Sequence, residues 1–279
     1  MRIGIIGAGA IAQFLLSEIE AQPNEGMQVT GLLVRDRKKY LAMAEQYQVD
    51  LYTDLHEFIH SDVDVIVEAA TIQAVYDHLP AVIQAKDTVV ISVGAFADDS
   101  FYEKVSGIVD KGNCQLLLPA GAIGGLDMVQ SANALGGLKE VFLTTTKPAH
   151  SLVDRSLTQA EIIFEGSARE AIAQFPKNMN VAIVLSLAGI GLDETKVKLI
   201  ADPNFQQNVH QIQLNGAFGS AETKLINRCF GIQSKNKLSC SSKHHCDLTK
   251  VPRVHSDRIK KHSGFCLDRS VLHFIHCDG

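Results

Sequence analysis

The sequence predicts an α/β fold: a doubly wound parallel sheet followed by a second α+β domain whose sheet is mostly antiparallel. Three observations carry this prediction. Short apolar runs alternate with helical patterns over the first 120 residues, and a glycine-rich turn follows the opening run. Beyond that point, strand-like runs follow one another without regular helices between them. With 279 residues, 46% of them hydrophobic, the chain is long enough for two domains with real cores.

The opening strand leads into a glycine-rich turn, GAGAIA at 7–12, and then a helical spacing of apolar residues. In this strand–turn–helix order, a G-x-G-x-x-[GA] motif binds the pyrophosphate of a dinucleotide at the helix N-terminus. Gly7 permits the turn, Gly9 lets the backbone approach the phosphates, and Ala12 lets the helix lie close to the strand. The residues that we predict to bind the cofactor here are Gly7, Gly9, Ala10 and Ile11.

A second buried strand at 29–35 ends beside Asp36. A carboxylate in this position can accept hydrogen bonds from the adenosine ribose, which favours NAD. The flanking Arg35 and Arg37 could instead pair with a 2′-phosphate, which favours NADP. We therefore predict NAD or NADP as the cofactor, with Arg35 and Asp36 at the ribose. The alternative is that these residues form a solvated turn.

The strand–helix alternation then continues through the first domain. Further strands are expected at 62–68, 88–93 and 114–118, and helices at 37–48, 71–82 and 102–111. Ligands of such sheets bind at the carboxyl ends of the strands, so the loops at 69–71 and 92–95 should border the cofactor. Ala70 and Thr71 are the candidate contacts, and Thr71 is also the expected N-cap of its helix.

In the second half, strands are expected at 141–146, 161–165, 196–201 and 209–214, and helices from Leu126 and at 168–175 and 181–188.

Three stretches could carry chemistry. Residues 120–123 are Ala-Gly-Ala-Ile, and the small residues at 120–122 could let a nicotinamide lie against the backbone, although a helix entry turn explains the stretch equally well. Asn178 and Asn180 would ordinarily cap a helix, but Asn180 could instead hold the nicotinamide amide. His210 lies in an alternating strand, where a lone histidine is usually structural.

The motifs taken together resemble the L-aspartate dehydrogenase family over about residues 1–219. They are GAGAIA at 7–12, PAGAIGGLD at 119–127, TKP at 146–148, FPKNMNVA at 175–182, Ala201-Asp202-Pro203 and Asn208-Val209-His210. The resemblance implies oxidative deamination of L-aspartate with NAD or NADP, which yields iminoaspartate, a precursor for NAD biosynthesis, and then oxaloacetate and ammonia. It also implies that Ala122 and Asn180 contact the cofactor, that His210 is the active-site histidine and that the chain forms a homodimer.

The implied chemistry fits the residue types. Removing hydride from an amine carbon requires the amine to lose protons, and a histidine can accept and return a proton near neutral pH. A dicarboxylate substrate needs cations, because a buried unpaired carboxylate is costly. Lys147 and Lys177 are the candidates, and the alternative is that both are solvated surface lysines.

The sequence departs from the family after Gly219. The family's Asn-Pro-Lys-Thr-Ser stretch is absent, and five of the six cysteines lie beyond residue 228 at irregular spacing, which predicts neither a metal site nor a disulfide framework. We expect a dinucleotide-binding domain at 1–119, a catalytic and dimerisation domain at 120–227, and an atypical, poorly ordered tail at 228–279. Loss of a family-type C-terminus puts activity in question. The alternatives are a non-catalytic NAD(P)-binding protein and another two-domain dehydrogenase, such as a dihydrodipicolinate-reductase-like enzyme.

Charge and hydropathy exclude several partner classes. Residues 1–219 carry fifteen Lys and Arg against twenty-six Asp and Glu, which argues against nucleic-acid binding, whereas residues 220–279 carry eleven against five. No apolar run reaches the roughly 18 residues of a membrane span. The opening residues lack a signal-peptide pattern, so we expect a cytoplasmic protein with no membrane partner.

Overall fold

The computed structural model describes residues 1–21 and 26–227, and the tail predicted at 228–279 lies outside the described residues. The first sheet is entirely parallel, with strand order β3-β2-β1-β4-β5-β6. Its strands are β1 (Arg2–Ile6), β2 (Gln28–Leu33), β3 (Asp50–Tyr52), β4 (Val65–Glu68), β5 (Asp87–Val90) and β6 (Leu116–Leu117). The doubly wound parallel sheet expected from the sequence is confirmed.

Five helices connect these strands. They are α1 (Ala10–Ala21), α2 (Leu41–Tyr47), α3 (Leu55–Ile59), α4 (Ile72–Val82) and α5 (Asp99–Lys111). Thr71 caps α4 as predicted, because its hydroxyl accepts a hydrogen bond from the backbone N–H of Ala74 at 3.1 Å. The single helix expected at 37–48 is instead a 3-10 turn (Lys38–Tyr40) followed by α2. The short β3 and α3 were not predicted, because elements of three and five residues carry almost no periodic signal.

The second sheet has the order β11-β10-β7-β9-β8, and only the β7–β9 pair is parallel. Its strands are β7 (Leu138–Pro148), β8 (Glu161–Ser167), β9 (Lys196–Asp202), β10 (Asn208–Gly216) and β11 (Gly219–Asn227). The helices of this half are α6 (Leu126–Ala134), α7 (Ala168–Gln174) and α8 (Asn180–Ala188). The expected α+β domain with a mostly antiparallel sheet is therefore also confirmed.

One face of the second sheet packs against α8, whose Ile183 and Leu185 are fully buried. The same apolar cluster continues past α8 to α4 and α5 of the first half, so the two sheets share a core. Along β7, alternate side chains point into this core, and the inward face changes from Val141 and Leu143 to Thr145 and further polar residues toward the end of the strand. This change from apolar to polar places a polar site at one end of the shared core.

Candidate active site

The glycine turn contains one glycine that the fold requires and one that it does not. Gly7 has φ +102°, and a Cβ there would lie 2.9 Å from the carbonyl oxygen of Ala69 and 2.9 Å from the Cβ of Ala70. Gly9 is exposed, and among the residues with described positions, its two chain neighbours apart, no atom lies within 4 Å of the place that a Cβ would take. The chain's own packing thus gives no reason for a glycine at position 9, directly before α1. An open approach to a helix N-terminus fits the phosphates of a dinucleotide.

The turn after β2 holds the two side chains that we predict to contact the adenosine ribose or its 2′-phosphate. Oδ1 of Asp36 accepts hydrogen bonds from the backbone N–H groups of Lys38 at 2.9 Å and Lys39 at 3.4 Å, so the carboxylate shapes the turn with one of its oxygens. Asp36 and the neighbouring Arg35 are exposed. Within residues 1–21 and 26–227, neither the second carboxylate oxygen nor the guanidinium has another hydrogen-bond or ion-pair partner, so the carboxylate can bind a ribose hydroxyl and the guanidinium a 2′-phosphate.

A buried carboxylate that the sequence analysis did not single out lies at the end of β4. Glu68 is 2% exposed and accepts hydrogen bonds from the backbone N–H of Ala70 at 2.8 Å, the backbone N–H of Ser92 at 2.9 Å and the hydroxyl of Ser92 at 3.0 Å. Burial raises the pKa of Glu68, and these hydrogen bonds oppose that effect. Glu68 therefore links the two loops, 69–71 and 92–95, that are expected to border the cofactor.

The loop that follows β6 lies against the edge of the second sheet. Gly121 has φ +61°, and the carbonyl oxygen of Ala122 accepts a 2.8 Å hydrogen bond from the side chain of Asn227, the last residue of β11. Ala122 is half-buried. The hydrogen bond from Asn227 therefore holds the loop in place, and the bulky side chain of Ile123 is fully buried.

Two neighbouring strands of the second sheet bring a histidine and a threonine into contact. His210 on β10 lies opposite Thr145 on β7 in the antiparallel register. Oγ1 of Thr145 is 3.0 Å from Nδ1 of His210, and the two residues are 1% and 3% exposed, respectively. This contact occupies Nδ1, so Nε2 is the ring nitrogen left for a substrate.

Lys147 adds a cation to the same face of β7, two residues beyond Thr145. It is 8% exposed, and its Nζ donates a 2.9 Å hydrogen bond to Oδ1 of Asn178, just before α8. In the part of the chain that the structure describes, no carboxylate forms an ion pair with Lys147. A buried cation whose partner is a neutral amide is costly, and an anion bound beside it would remove that cost.

Burial and these neighbours set the protonation of the cluster. Burial, and secondarily the positive charge of Lys147, lower the pKa of His210 from 6.5 to about 4. Burial also lowers the pKa of Lys147. At neutral pH the imidazole is therefore uncharged and can accept a proton.

The two asparagines before α8 do not act as helix caps. The cap position is Met179, which makes no side-chain capping hydrogen bond, while Asn178 contacts Lys147 and Asn180 is the exposed first residue of α8. The ordinary capping interpretation is therefore wrong for both. Lys177 is exposed, so of the two candidate lysines the structure places only Lys147 in this buried cluster.

Sequence reasoning missed Glu68 and Thr145, and it interpreted Asn178 as a helix cap and not as the partner of Lys147. A carboxylate that closes an otherwise apolar strand was a usable signal for Glu68. The other two are recognisable only through their partners, which lie 65 and 31 residues away along the chain. Among the residues with described positions, no three His, Cys, Asp or Glu side chains are grouped to hold a metal ion, and no helix is long and apolar enough to cross a membrane.

Comparison with known proteins adds an independent line of evidence. The profile described as "Homoserine dehydrogenase, NAD binding domain" matches residues 7–119, and the one described as "Aspartate dehydrogenase, C-terminal" matches residues 127–237. L-aspartate dehydrogenase of Methanococcus maripaludis strain C7 is 36% identical over 237 residues, and that of Methanosarcina mazei is 37% identical over 241 residues. Each match covers 81% of this chain and 88% of the relative.

A solved structure agrees with these sequence matches. The crystal structure of aspartate dehydrogenase from Thermotoga maritima superimposes with a TM-score of 0.67 at 30% sequence identity, and covers 81% of this chain and 88% of the other. The matched region, at this level of identity, includes strands of both sheets. The chain therefore belongs to the L-aspartate dehydrogenase family.

Proposed function

We propose that this chain catalyses the NAD(P)-dependent oxidative deamination of L-aspartate to iminoaspartate, which hydrolyses to oxaloacetate and ammonia. Family membership supports the reaction class. The observation that supports a dicarboxylate substrate is the buried Lys147. Its partner Asn178 is neutral and leaves the charge of Lys147 uncompensated, next to the buried His210. A dicarboxylate amino acid supplies the missing negative charge and places its amine near a proton acceptor.

The cofactor fits the chain at the carboxyl ends of the first sheet. The open position at Gly9 and the N-terminus of α1 suit its phosphates, and Asp36 or Arg35 suits its adenosine ribose. The residues that we propose to contact it are Gly7, Gly9, Ala10, Ile11, Arg35, Asp36, Ala70, Thr71, Ala122 and Asn180. When bound, the nicotinamide ring accepts the hydride that leaves Cα of the substrate.

The residues of the second sheet perform the proton chemistry in this proposal. Lys147 pairs with a substrate carboxylate, and Nε2 of His210 takes a proton from the substrate ammonium group, which leaves a neutral amine. Loss of hydride from Cα then gives an iminium ion. After His210 has released this proton to solvent, it takes a proton from the water that attacks this carbon. It then returns that proton to the nitrogen, and ammonia leaves as the hydroxyl loses its proton and the carbonyl forms. Thr145 holds the imidazole through Nδ1 during these steps.

Substrate binding also prepares the base. The positive charge of Lys147 is one of the two causes that lower the pKa of His210. A carboxylate bound to Lys147 neutralises that charge and so raises the pKa of His210 toward its ordinary value. The imidazole becomes a stronger proton acceptor when the substrate is in place.

The test is to follow formation of reduced nicotinamide with L-aspartate on the full chain. We expect turnover with either NAD or NADP, none with L-asparagine, which lacks the second carboxylate, and loss of turnover in His210→Ala. Cofactor binding without turnover on any amino acid would support a non-catalytic NAD(P)-binding protein instead. Turnover that survives His210→Ala unchanged would remove His210 from the mechanism.

Finer aspects of the proposal concern organisation. We propose that residues 1–119 bind the cofactor and that residues 120–227 form the catalytic and dimerisation domain. The outward face of the second sheet supports a homodimer, because Phe142 and Ile162 are 38% and 54% exposed there. A cytoplasmic location and a role of iminoaspartate in NAD biosynthesis complete the proposal.

A further inference from the structure

We propose that Glu68 is a positioning residue for the cofactor: its buried carboxylate ties the loop after β4 to the loop after β5, at the strand ends where the dinucleotide is expected. The inference rests on the proposed function only in assuming that a dinucleotide binds there. It does not depend on the substrate or on the reaction at His210.

The position of Glu68 in the sheet makes this link possible. β4 is paired with both β1 and β5, so its last residue lies between the glycine turn and the loop after β5. Oε1 of Glu68 accepts from the backbone N–H of Ala70 and from the hydroxyl of Ser92, while Oε2 accepts from the backbone N–H of Ser92. Each oxygen therefore holds one loop through a backbone amide, and Oε1 contacts both loops.

The two loops contact the parts of the chain that face the cofactor. A Cβ at Gly7 would lie 2.9 Å from the Cβ of Ala70, so Ala70 packs directly under the glycine turn. On the other side, Ser92 precedes the 3-10 turn Val93–Ala97, which packs against α8. α8 begins at Asn180, one of the proposed nicotinamide contacts. A shift at either end of the Glu68 link would therefore move residues proposed to hold the cofactor.

Stability alone is a poor reason for this carboxylate. Glu68 is 2% exposed and, within residues 1–21 and 26–227, pairs with no Lys or Arg. Burying an unpaired carboxylate is costly, so the hydrogen bonds that Glu68 accepts must first offset that cost before they add any stability. What the carboxylate supplies is a pair of acceptors in a fixed plane that can hold two backbone N–H groups at once.

Glu68→Gln is the most informative substitution, because glutamine keeps the shape of the side chain and removes one hydrogen-bond acceptor. In one amide orientation its NH2 group faces the N–H of Ser92, and in the other it faces the N–H of Ala70. Either way one loop loses its backbone hydrogen bond and meets a donor instead. A loop that is no longer held has to be ordered when the cofactor binds, so we expect the Kd for NADH and NADPH to rise by about tenfold in Glu68→Gln.

The matched control is Thr88→Val on β5. Thr88 is fully buried, and its hydroxyl donates a 2.9 Å hydrogen bond to the carbonyl oxygen of Lys86, before the start of β5 and away from Ser92. This variant also removes one buried hydrogen bond, but it leaves both loops intact. We expect a lower thermal midpoint with a Kd for reduced cofactor within about twofold of the original.

The experiment measures the Kd of NADH and NADPH by nicotinamide fluorescence without substrate, together with kcat at saturating cofactor and the thermal midpoint. We expect Glu68→Gln to raise the Kd while kcat at saturation stays within about threefold, because the lost contact acts on binding. Ser92→Ala removes the hydroxyl hydrogen bond and leaves the backbone ones, so it should raise the Kd less, and its effect should not add fully to that of Glu68→Gln. If Glu68→Gln does not fold, Ser92→Ala carries the test.

An unchanged Kd in Glu68→Gln, or an equal rise in Thr88→Val, would overturn the positioning role. If Glu68→Gln proves unfoldable, an unchanged Kd in Ser92→Ala does the same. These outcomes are distinct from failure of the proposed function. A chain that binds reduced cofactor but does not oxidise aspartate leaves the role of Glu68 open to measurement by the same titration, whereas a chain that oxidises aspartate with an unaltered Kd in Glu68→Gln retains the function and loses this inference.

Discussion

Substitution of His210 by Gln should make the folded protein less sensitive to acid. The pKa of His210 is about 4 in the folded chain because burial and Lys147 both oppose the charged imidazole. In the unfolded chain the pKa returns to its ordinary value near 6.5. Between these two values the unfolded state binds more protons than the folded state, so the free energy of unfolding falls as the pH falls from 6.5 toward 4.

The magnitude follows from these two pKa values. The gap of about 2.5 pH units corresponds to roughly 3 kcal/mol when the pH lies well below both values. At pH 7.5 His210 contributes almost nothing to this difference, and at pH 5 it lowers the free energy of unfolding by about 2 kcal/mol. The raised pKa of Glu68 acts in the opposite direction, but it is present in both proteins and cancels in the comparison.

The assay is urea unfolding followed by circular dichroism at several pH values between about 7.5 and 4.5. The original chain should lose about 2 kcal/mol more than His210→Gln between pH 7.5 and pH 5. His150→Gln is the control, because it makes the same replacement at an exposed histidine. The same pH dependence in the original chain and in His210→Gln would refute the claim that a buried neutral imidazole occupies this position.

Three further predictions concern the site. Lys147→Met removes the buried cation and should raise the KM for L-aspartate by at least about tenfold. The same change at the exposed Lys177 should alter the KM by less than about twofold. Similar effects at both positions would contradict the assignment of Lys147 to the substrate carboxylate. Thr145→Val leaves the imidazole without its partner and should lower kcat/KM by about 10–100-fold, with activity restored in Thr145→Ser, and a full loss in Thr145→Ser would argue for packing instead. Gly9→Ala should weaken binding of reduced cofactor, measured by fluorescence, with little change in thermal midpoint. Gly7→Ala should lower the thermal midpoint by several degrees, because the φ of Gly7 is +102° and a Cβ there would meet backbone. The reverse pattern would place the phosphates elsewhere.

The cofactor half could be predicted from the sequence in some detail because its signals are local. The glycine turn, the strand before it and the helix after it lie within about twenty residues, and their spacing alone predicts a dinucleotide site. The cap of α4 by Thr71 is likewise a local contact, because the two residues that it joins are three apart in the sequence. The short β3 and α3 escaped prediction because each spans fewer than two amphipathic periods.

The resemblance to a family singled out His210, but it did not supply the surroundings that give the residue its chemistry. From the alternating pattern alone His210 could equally be a structural residue of a strand. Its low pKa depends on its depth in the shared core and on the charge of Lys147, neither of which can be read from neighbouring residues. The role of Asn178 was hidden because helix capping is the ordinary use of an asparagine before a helix.

The amino-acid sequence by itself therefore determined the order of the longer strands and helices, the glycine turn and the class of cofactor, since each depends on residues that are close along the chain. Only the tertiary structure decided which of two lysines is buried, which hydroxyl contacts the histidine and which carboxylate joins the two loops. Those contacts depend on strand register and on packing between elements 24 to 65 residues apart. A one-residue change of register would turn each side chain to the opposite face of its sheet, so the site exists only when the whole fold has formed.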